Sequence, residues 1–411
     1  MLSIHGFFDP APVLGATDTG GQVTYVLELS KALSEQGLSV DIFTRQFEER
    51  AETEPVNARV RLIRIPCGGR EFIRKEELLP HLDEYAENMA RFVAARDLRY
   101  DLVHSHYWDA GYVGIKIAGS LGLPFIHTAH SLGAWKKEQM GGDPAEMEQL
   151  FNFTERIRWE KEIFRRATAQ TVTTLDGKEL YKRFYGVESD DLVVIPPGVD
   201  VRRFRPGPLT PSAGAATLEN YVFALGRMDA TKGFDDLIRG FAHVSRSNPV
   251  QLVIGGGSIN ALPHETAVRN KLLGLVDELR LNGRVMFAGY IPDANLAAYY
   301  RNARVFALPS RYEPFGMTVL EAMACGTPVV ATRHGGLGHE LTDRVDGLLV
   351  DPSDPVALSA AILEILNDDS LARRIRAAGL KLVEERYSWK SIARQTLSFY
   401  EKYASARPER L

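Results

Sequence analysis

Short apolar runs alternate with stretches of helical spacing along almost the whole chain, and the alternation starts again after a break near its middle. In the first half the spacing predicts strands ending near residue 6 and at 39–44, 60–65, 102–105, 124–128, 169–174 and 192–195. Helices are expected over 23–35, 86–94 and 112–120, with one long polar, amphipathic helical region over 134–165. A Pro-, Gly- and Ser-containing passage at 206–215 interrupts the periodicity and reads as a linker. Beyond it, strands are expected at 221–225, 250–254, 284–287, 305–308, 328–331 and 348–350, with helices over 234–244, 267–279 and 296–303. Two C-terminal helices finish the chain, the last over about 391–405. Strands alternating with helices feed right-handed crossovers, which build a parallel sheet covered on both faces. The prediction is therefore α/β: two Rossmann-like doubly wound domains, 1–205 and 216–385. Residues 386–411 are expected to be a C-terminal helix packing back on the first. Ligands of open parallel sheets lie outside the carboxyl ends of the strands, so the two domains would face each other across a cleft.

Composition removes several classes of function. With 49 basic and 53 acidic residues the net charge is −4 over 411 residues, so no global pull toward nucleic acid is expected. Cys67 and Cys325 are the only cysteines and stand in opposite halves, which excludes a disulfide framework and offers no metal cluster. No apolar run approaches the roughly 18 residues of a membrane span, so no membrane insertion is expected. The opening residues lack a signal-peptide pattern. The expectation is a soluble cytoplasmic protein with small-molecule substrates.

Four stretches carry chemistry. In LPSRYEPFGMTVLEAMAC, Glu313 stands in a loop before a helix and Glu321 follows eight residues later, about two turns along it. Phe315, Gly316, Met317 and Thr318 fill the turn between them, and Gly335-Gly336 follows the next strand. Such a pair suits a sugar nucleotide, one carboxylate on sugar hydroxyls and the other on a ribose. GRMDATKG puts Arg227 and Lys232 between a strand and a helix, where two cations can neutralise a departing diphosphate. DTGGQ places Gly21 and Gln22 at a helix N-terminus that favours negative charge. His130, in HTAHSLG, follows a first-domain strand and can hydrogen-bond a sugar hydroxyl. Arg74, Lys75, Lys136, Lys137 and Arg156 add first-domain cations that would suit a phosphorylated acceptor.

Taken together, DTGGQ, HTAHSLG, IPPGVD, GRMDATKG and SRYEPFGMTVLEAMACGTPVVAT resemble the retaining glycosyltransferases of the glycosyltransferase-B fold. DTGGQVTYVLELSKAL, VDIFTRQ, RIPCGGREFIRKEEL, HSHYWDAG and HSLGAWKKEQM bring the chain nearest to the sucrose-phosphate and mannosylfructose-phosphate synthases. The resemblance implies hexosyl transfer from a nucleoside diphosphate sugar to fructose 6-phosphate, in the first place of the sucrose-phosphate type with UDP-glucose as donor. Alternatively it implies the mannosylfructose-phosphate type with GDP-mannose, or transfer to another acceptor by a related retaining glycosyltransferase. Position by position, it implies that Arg227 and Lys232 hold the diphosphate, Glu321 the ribose and Glu313 the donor sugar, with Phe315 to Thr318 nearby. His130 would contact the donor sugar, and Gly21 and Gln22 both ligands. Lys75, Ser131, Lys136 and Arg156 would hold the acceptor, mostly its phosphate. No metal or cofactor is required, Mg²⁺ included. Gly335-Gly336-Leu337, in place of GGP, and FGMTV after Glu313-Pro314 are closer to the mannosylfructose-phosphate type. One rival on the same architecture is a nucleotide-sugar 2-epimerase, which would form product from donor alone, or a phosphorylase-like enzyme, for which no pyridoxal-lysine segment is recognisable. The other is a silent sugar-nucleotide sensor, but a sensor needs no leaving-group stabilisation.

Overall fold

A computed structural model describes residues 1–10, 21–140, 143–208, 220–258, 263–311, 313 and 315–404. Most of the expected linker, from residue 209 on, and Asp18, Thr19 and Gly20 of the DTGGQ loop lie outside the described residues. The backbone forms two compact units: Met1–Gly198 with the stretch from Ile392, and Val199–Ser391.

The first unit contains β1 (Val40–Gln46), β2 (Thr53–Pro55), β3 (Val60–Pro66), β4 (Val103–His106), β5 (Phe125–Thr128), β6 (Ala169–Val172) and β7 (Leu192–Val194). β2, which apolar spacing does not reveal, is an antiparallel edge strand on β3. The other pairings are parallel. Leu2 bridges Phe43 of β1 on one side and Ser105 of β4 on the other. The order is therefore β2-β3-β1-(Leu2)-β4-β5-β6-β7. Strand order reverses beside the Leu2 segment, so its carboxyl end and that of β4 flank the switch point where such sheets bind ligands. Leu2, Ile4, Ile63, Ile65, Val113 and Ile117 lie in its core.

The second unit contains β8 (Tyr221–Leu225), β9 (Gln251–Gly255), β10 (Val285–Gly289), β11 (Ala303–Leu308), β12 (Val329–Thr332) and β13 (Leu348–Val350). They pair in parallel in the order β10-β9-β8-β11-β12-β13. Successive residues go to opposite faces: Tyr221, Phe223, Val253 and Phe306 enter one core, while Val222, Ala224, Leu252, Ile254 and Val305 enter the other. The sheet needs cover on both sides, which explains why its strands read as unbroken apolar runs. The switch point falls between β8 and β11, the strands that precede Arg227–Lys232 and Glu313.

Three expectations change. The helical region over 134–165 is three helices, Gly133–Met140, Pro144–Phe151 and Phe153–Arg166. Pro144 opens the second, and Asn152, left-handed at φ 48°, separates it from the third. The C-terminal part has three α-helices rather than two, Pro355–Asn367, Asp369–Leu382 and Trp389–Ala404, and a helix at Leu175–Tyr185 was not anticipated. Residues 199–205, expected in the first domain, belong to the second unit: Val199 N–H donates to Tyr387 O at 2.7 Å, and Phe204 packs on Tyr300. In the last helix, Tyr400 OH meets His104 Nδ1 of β4 at 2.5 Å, and Tyr403 OH donates to Asp191 at 2.5 Å.

Candidate active site

The predicted residues fall into two groups, one in each unit. In the second unit, β8 ends at Leu225 and the chain turns through Gly226 and Arg227 into a 3₁₀ turn, Ala230–Lys232. Asp229 caps that turn by accepting the Thr231 N–H at 2.8 Å. Its carboxyl is held below the ordinary range, chiefly by the Thr231 side-chain hydrogen bond. Gly233, at φ 65°, then enters the helix Phe234–Ser247, and a Cβ there would lie 2.1 Å from Pro309 O. Only glycine allows the β8 and β11 loops to approach so closely.

Lys232 Nζ donates to Glu313 Oε2 at 2.6 Å, and Ser310 Oγ donates to the same oxygen at 3.2 Å. Arg227 is exposed, and no hydrogen bond or ion pair holds its side chain among the described residues. One cation is thus fixed and its neighbour is free to meet an anion. Arg311, not singled out by its sequence, clamps the two loops together. Its guanidinium reaches Ala230 O at 2.7 Å, Asp235 at 2.7 Å and Asp236 at 2.6 Å.

The Glu313 backbone is gripped by the turn after β12. Gly336 N–H donates to Glu313 O at 3.2 Å, Leu337 N–H to Phe315 O at 2.7 Å, and a Cβ on Gly335 would sit 2.2 Å from Glu313 O. Phe315 is buried against Tyr387, and Gly316, at φ 105°, starts the helix Met317–Ala324. Met317 and Thr318 supply its first turn, with the positive end of the helix dipole. Glu321 lies little more than one turn into this helix, not two, because the helix starts later than the sequence suggests. Its carboxylate accepts Tyr300 OH at 2.7 Å. Burial raises the carboxyl to about 7, against the lowering effect of the Tyr300 bond.

The first-unit group gathers at the ends of β4 and β5. His130 has a left-handed backbone, φ 56°, and its Nε2 meets His106 Nδ1 at 3.0 Å. Burial, with His5 nearby, lowers the His130 imidazole to about 3, so it is neutral at physiological pH. Gln22 opens the helix Gly21–Glu35 and donates to Ser3 Oγ at 2.8 Å and His106 O at 3.3 Å. Lys75 begins the 3₁₀ turn Lys75–Glu77, with Glu76 3.7 Å from its ammonium. Lys136 is lowered to about 8, first by burial and then by the positive charges of Arg156 and Lys75.

Arg156 is 4% exposed rather than open to solvent. Its Nε donates to Glu160 at 2.8 Å, and its Nη2 to Ser131 O at 2.8 Å and Ser131 Oγ at 3.2 Å. Fully buried Glu160 also accepts the Gly133 N–H, at 2.9 Å to one oxygen and 3.0 Å to the other, and the Tyr185 hydroxyl. Arg156 therefore shapes the Ser131–Gly133 loop as well as contributing charge. Among the described residues, no group of three or more His, Cys, Asp or Glu side chains is placed to hold a metal ion.

Two parallel α/β units, each with polar groups at its switch point, define a glycosyltransferase of the glycosyltransferase-B fold, and the chain belongs to that class. Residues 19–203 match the family model Glycosyltransferase Family 4, and residues 210–382 match Glycosyl transferases group 1. The chain is similar to the mannosylfructose-phosphate synthase of Agrobacterium fabrum strain C58, 41% identical over 414 residues that cover 98% of this chain and 90% of that one. It is also similar to the D-inositol 3-phosphate glycosyltransferase of Xylanimonas cellulosilytica, 34% identical over all of this chain and 98% of the relative. Among solved structures, the sucrose-phosphate synthase of Thermosynechococcus elongatus matches with a TM-score of 0.80 at 33% identity, over 99% of this chain and 98% of the other.

Proposed function

We propose that the protein transfers a hexosyl group from a nucleoside diphosphate sugar to fructose 6-phosphate, with retention at the anomeric carbon. The observation that carries this reading is Lys136, whose ammonium is lowered by burial and by the neighbouring cations Arg156 and Lys75. Arg156 is already paired with Glu160 and Lys75 lies near Glu76, so the charge left uncompensated in this half-buried place is chiefly that of Lys136, which a phosphate monoester would complete. In the second unit Arg227 and Lys232 meet the diphosphate, Glu313 the donor sugar and Glu321 the ribose. A ribose hydroxyl donating to Glu321 favours its ionised form and offsets the effect of burial.

In the proposed reaction the bond from the anomeric carbon to the diphosphate oxygen breaks as that charge meets Arg227 and Lys232. The acceptor hydroxyl attacks the same face, and its proton passes to the leaving phosphate oxygen. Because the two cations take the developing charge, Mg²⁺ is not obligatory. The 41% likeness to a mannosylfructose-phosphate synthase favours GDP-mannose as donor. UDP-glucose is the second reading, supported by the structural match to a sucrose-phosphate synthase.

Turnover of UDP-glucose, GDP-mannose and ADP-glucose should be measured with fructose 6-phosphate, with fructose and without acceptor, and the product identified by NMR. One donor should give a disaccharide phosphate from fructose 6-phosphate alone. Equal turnover with free fructose, or product from donor alone, overturns the reading.

The phosphate site also sets a pH dependence. Lys136 lies below its ordinary value in the free protein, and a bound phosphate raises it again. Above about 8 the free protein has lost the proton that the complex needs, so binding takes one up. Affinity for the acceptor should fall as pH rises through that value, and the fall should vanish in Lys136→Met. Calorimetry in two buffers of different ionisation enthalpy reads the proton uptake. A pH-independent acceptor affinity between 7 and 9 would sink the assignment.

A further inference from the structure

Residues 226–236, after β8, and 309–316, after β11, hold three basic side chains, Arg227, Lys232 and Arg311, against four acidic ones, Asp229, Asp235, Asp236 and Glu313. A place read as receiving a diphosphate is thus acidic by count before any ligand arrives. Each carboxylate nevertheless has a partner. Asp229 accepts the Thr231 N–H at 2.8 Å and the Thr231 hydroxyl at 2.6 Å. Glu313 is held by Lys232 at 2.6 Å. Asp235 and Asp236 stand in the first turn of the helix Phe234–Ser247 and converge on one nitrogen, Arg311 Nη2, at 2.7 and 2.6 Å. Arg239, one turn further along, adds a smaller attraction to Asp236. Arg227 is left over as the cation whose side chain makes no hydrogen bond or ion pair among the described residues.

Clamping the loops does not require this arrangement. They are already packed where Gly233 meets Pro309 O, the Arg311 N–H donates to Thr231 O at 2.8 Å, and Arg311 Nη1 donates to Ala230 O at 2.7 Å. Arg311 Nε adds a bond to Ser353 Oγ at 3.2 Å. Such contacts need N–H groups and no charge. The charge answers two adjacent carboxylates, three and four residues beyond Lys232. Acidic residues in a first helical turn stabilise the helix, which gives Asp235 and Asp236 a reason to be there. Left unpaired, they would repel a phosphate on Arg227 and Lys232 and compete with it for those cations.

We propose that Arg311 is a positioning residue for the donor: it neutralises Asp235 and Asp236, so that Arg227 and Lys232 stay available to the diphosphate. The proposal rests on the reading of the second unit as the diphosphate site. Two variants of the full-length enzyme test it. Arg311→Gln keeps a side-chain N–H donor and removes the charge. Arg311→Gln/Asp235→Asn/Asp236→Asn removes the two acids as well, so that no carboxylate of the trio is stranded.

UDP, GDP and ADP are the probes, titrated calorimetrically. Whichever of them the wild type binds should bind Arg311→Gln about tenfold more weakly. The triple variant should return to within about threefold of wild type. The deficit of Arg311→Gln relative to wild type should also shrink as ionic strength rises from about 0.05 to about 0.5 M, because salt screens exposed charges. Unchanged affinity in Arg311→Gln overturns the proposal. A deficit that persists in the triple variant overturns it as well, since Arg311 is then a clamp and the acids are immaterial. A wild-type enzyme that binds none of the three nucleotides fails differently: it removes the diphosphate site, and the proposal with it.

Discussion

Arg227→Ala should lower kcat at saturating donor by about 10²–10³-fold, the loss usual when one preorganised charge contact to a developing anion is removed. The variant is informative because Arg227 is exposed and its side chain makes no hydrogen bond or ion pair among the described residues, only a through-space attraction to the Asp229 carboxyl. Nothing in the fold depends on it, so thermal stability should stay within about 0.5 kcal/mol of wild type. Lys232→Ala is expected to cause a loss of the same order, but its meaning is mixed. Lys232 also holds Glu313 at 2.6 Å, so its removal disturbs the donor-sugar contact as well as the diphosphate. KM for the donor should therefore rise more in Lys232→Ala than in Arg227→Ala. If the cations act on the departing diphosphate as proposed, a donor with a better leaving group should recover part of the lost rate in both variants. Undiminished kcat in Arg227→Ala removes the leaving-group role, whatever happens at Lys232.

The strands of the second unit were the most legible part of the fold, because a parallel sheet covered on both faces leaves no polar alternation to blur them. The edge strand β2, three residues long, carries no such signal. The region over 134–165 looked continuous because its amphipathic spacing persists across Pro144 and Asn152. At the site, residue types placed after strands pointed to Lys232 and Glu313, but partners far apart in sequence stayed hidden. Tyr300 lies 21 residues from Glu321, and Arg311 reaches back 76 residues to Asp235. Arg156 read as a cation for the acceptor, and its partner Glu160 four residues on was not singled out, since helical spacing does not tell which face the rest of the chain covers.

That buried pair carries the second large effect. In Glu160→Ala the Arg156 guanidinium stays buried without its carboxylate, and Gly133 N–H loses its acceptor. Breaking a buried pair from one side typically costs about 3–5 kcal/mol, far more than the pair contributes net, because the remaining charge is stranded. The two compact units need not unfold together, so the first unit's own calorimetric transition is the quantity to follow. It should fall by on the order of 10 °C in Glu160→Ala. The double variant Arg156→Leu/Glu160→Leu should recover much of the loss, since neither charge is then left alone, and the shortfall from additivity measures the coupling. Function should follow the same geometry. The pair holds the Ser131–Gly133 loop through Ser131 and Gly133, so on the proposed function Glu160→Ala should weaken binding of fructose 6-phosphate while affinity for the nucleotide, assigned to the other unit, stays unchanged. A first transition left in place by Glu160→Ala means that Arg156 finds solvent or another partner when its carboxylate is gone. Arg156 would then act as a charge for the acceptor and not as the organiser of its loop.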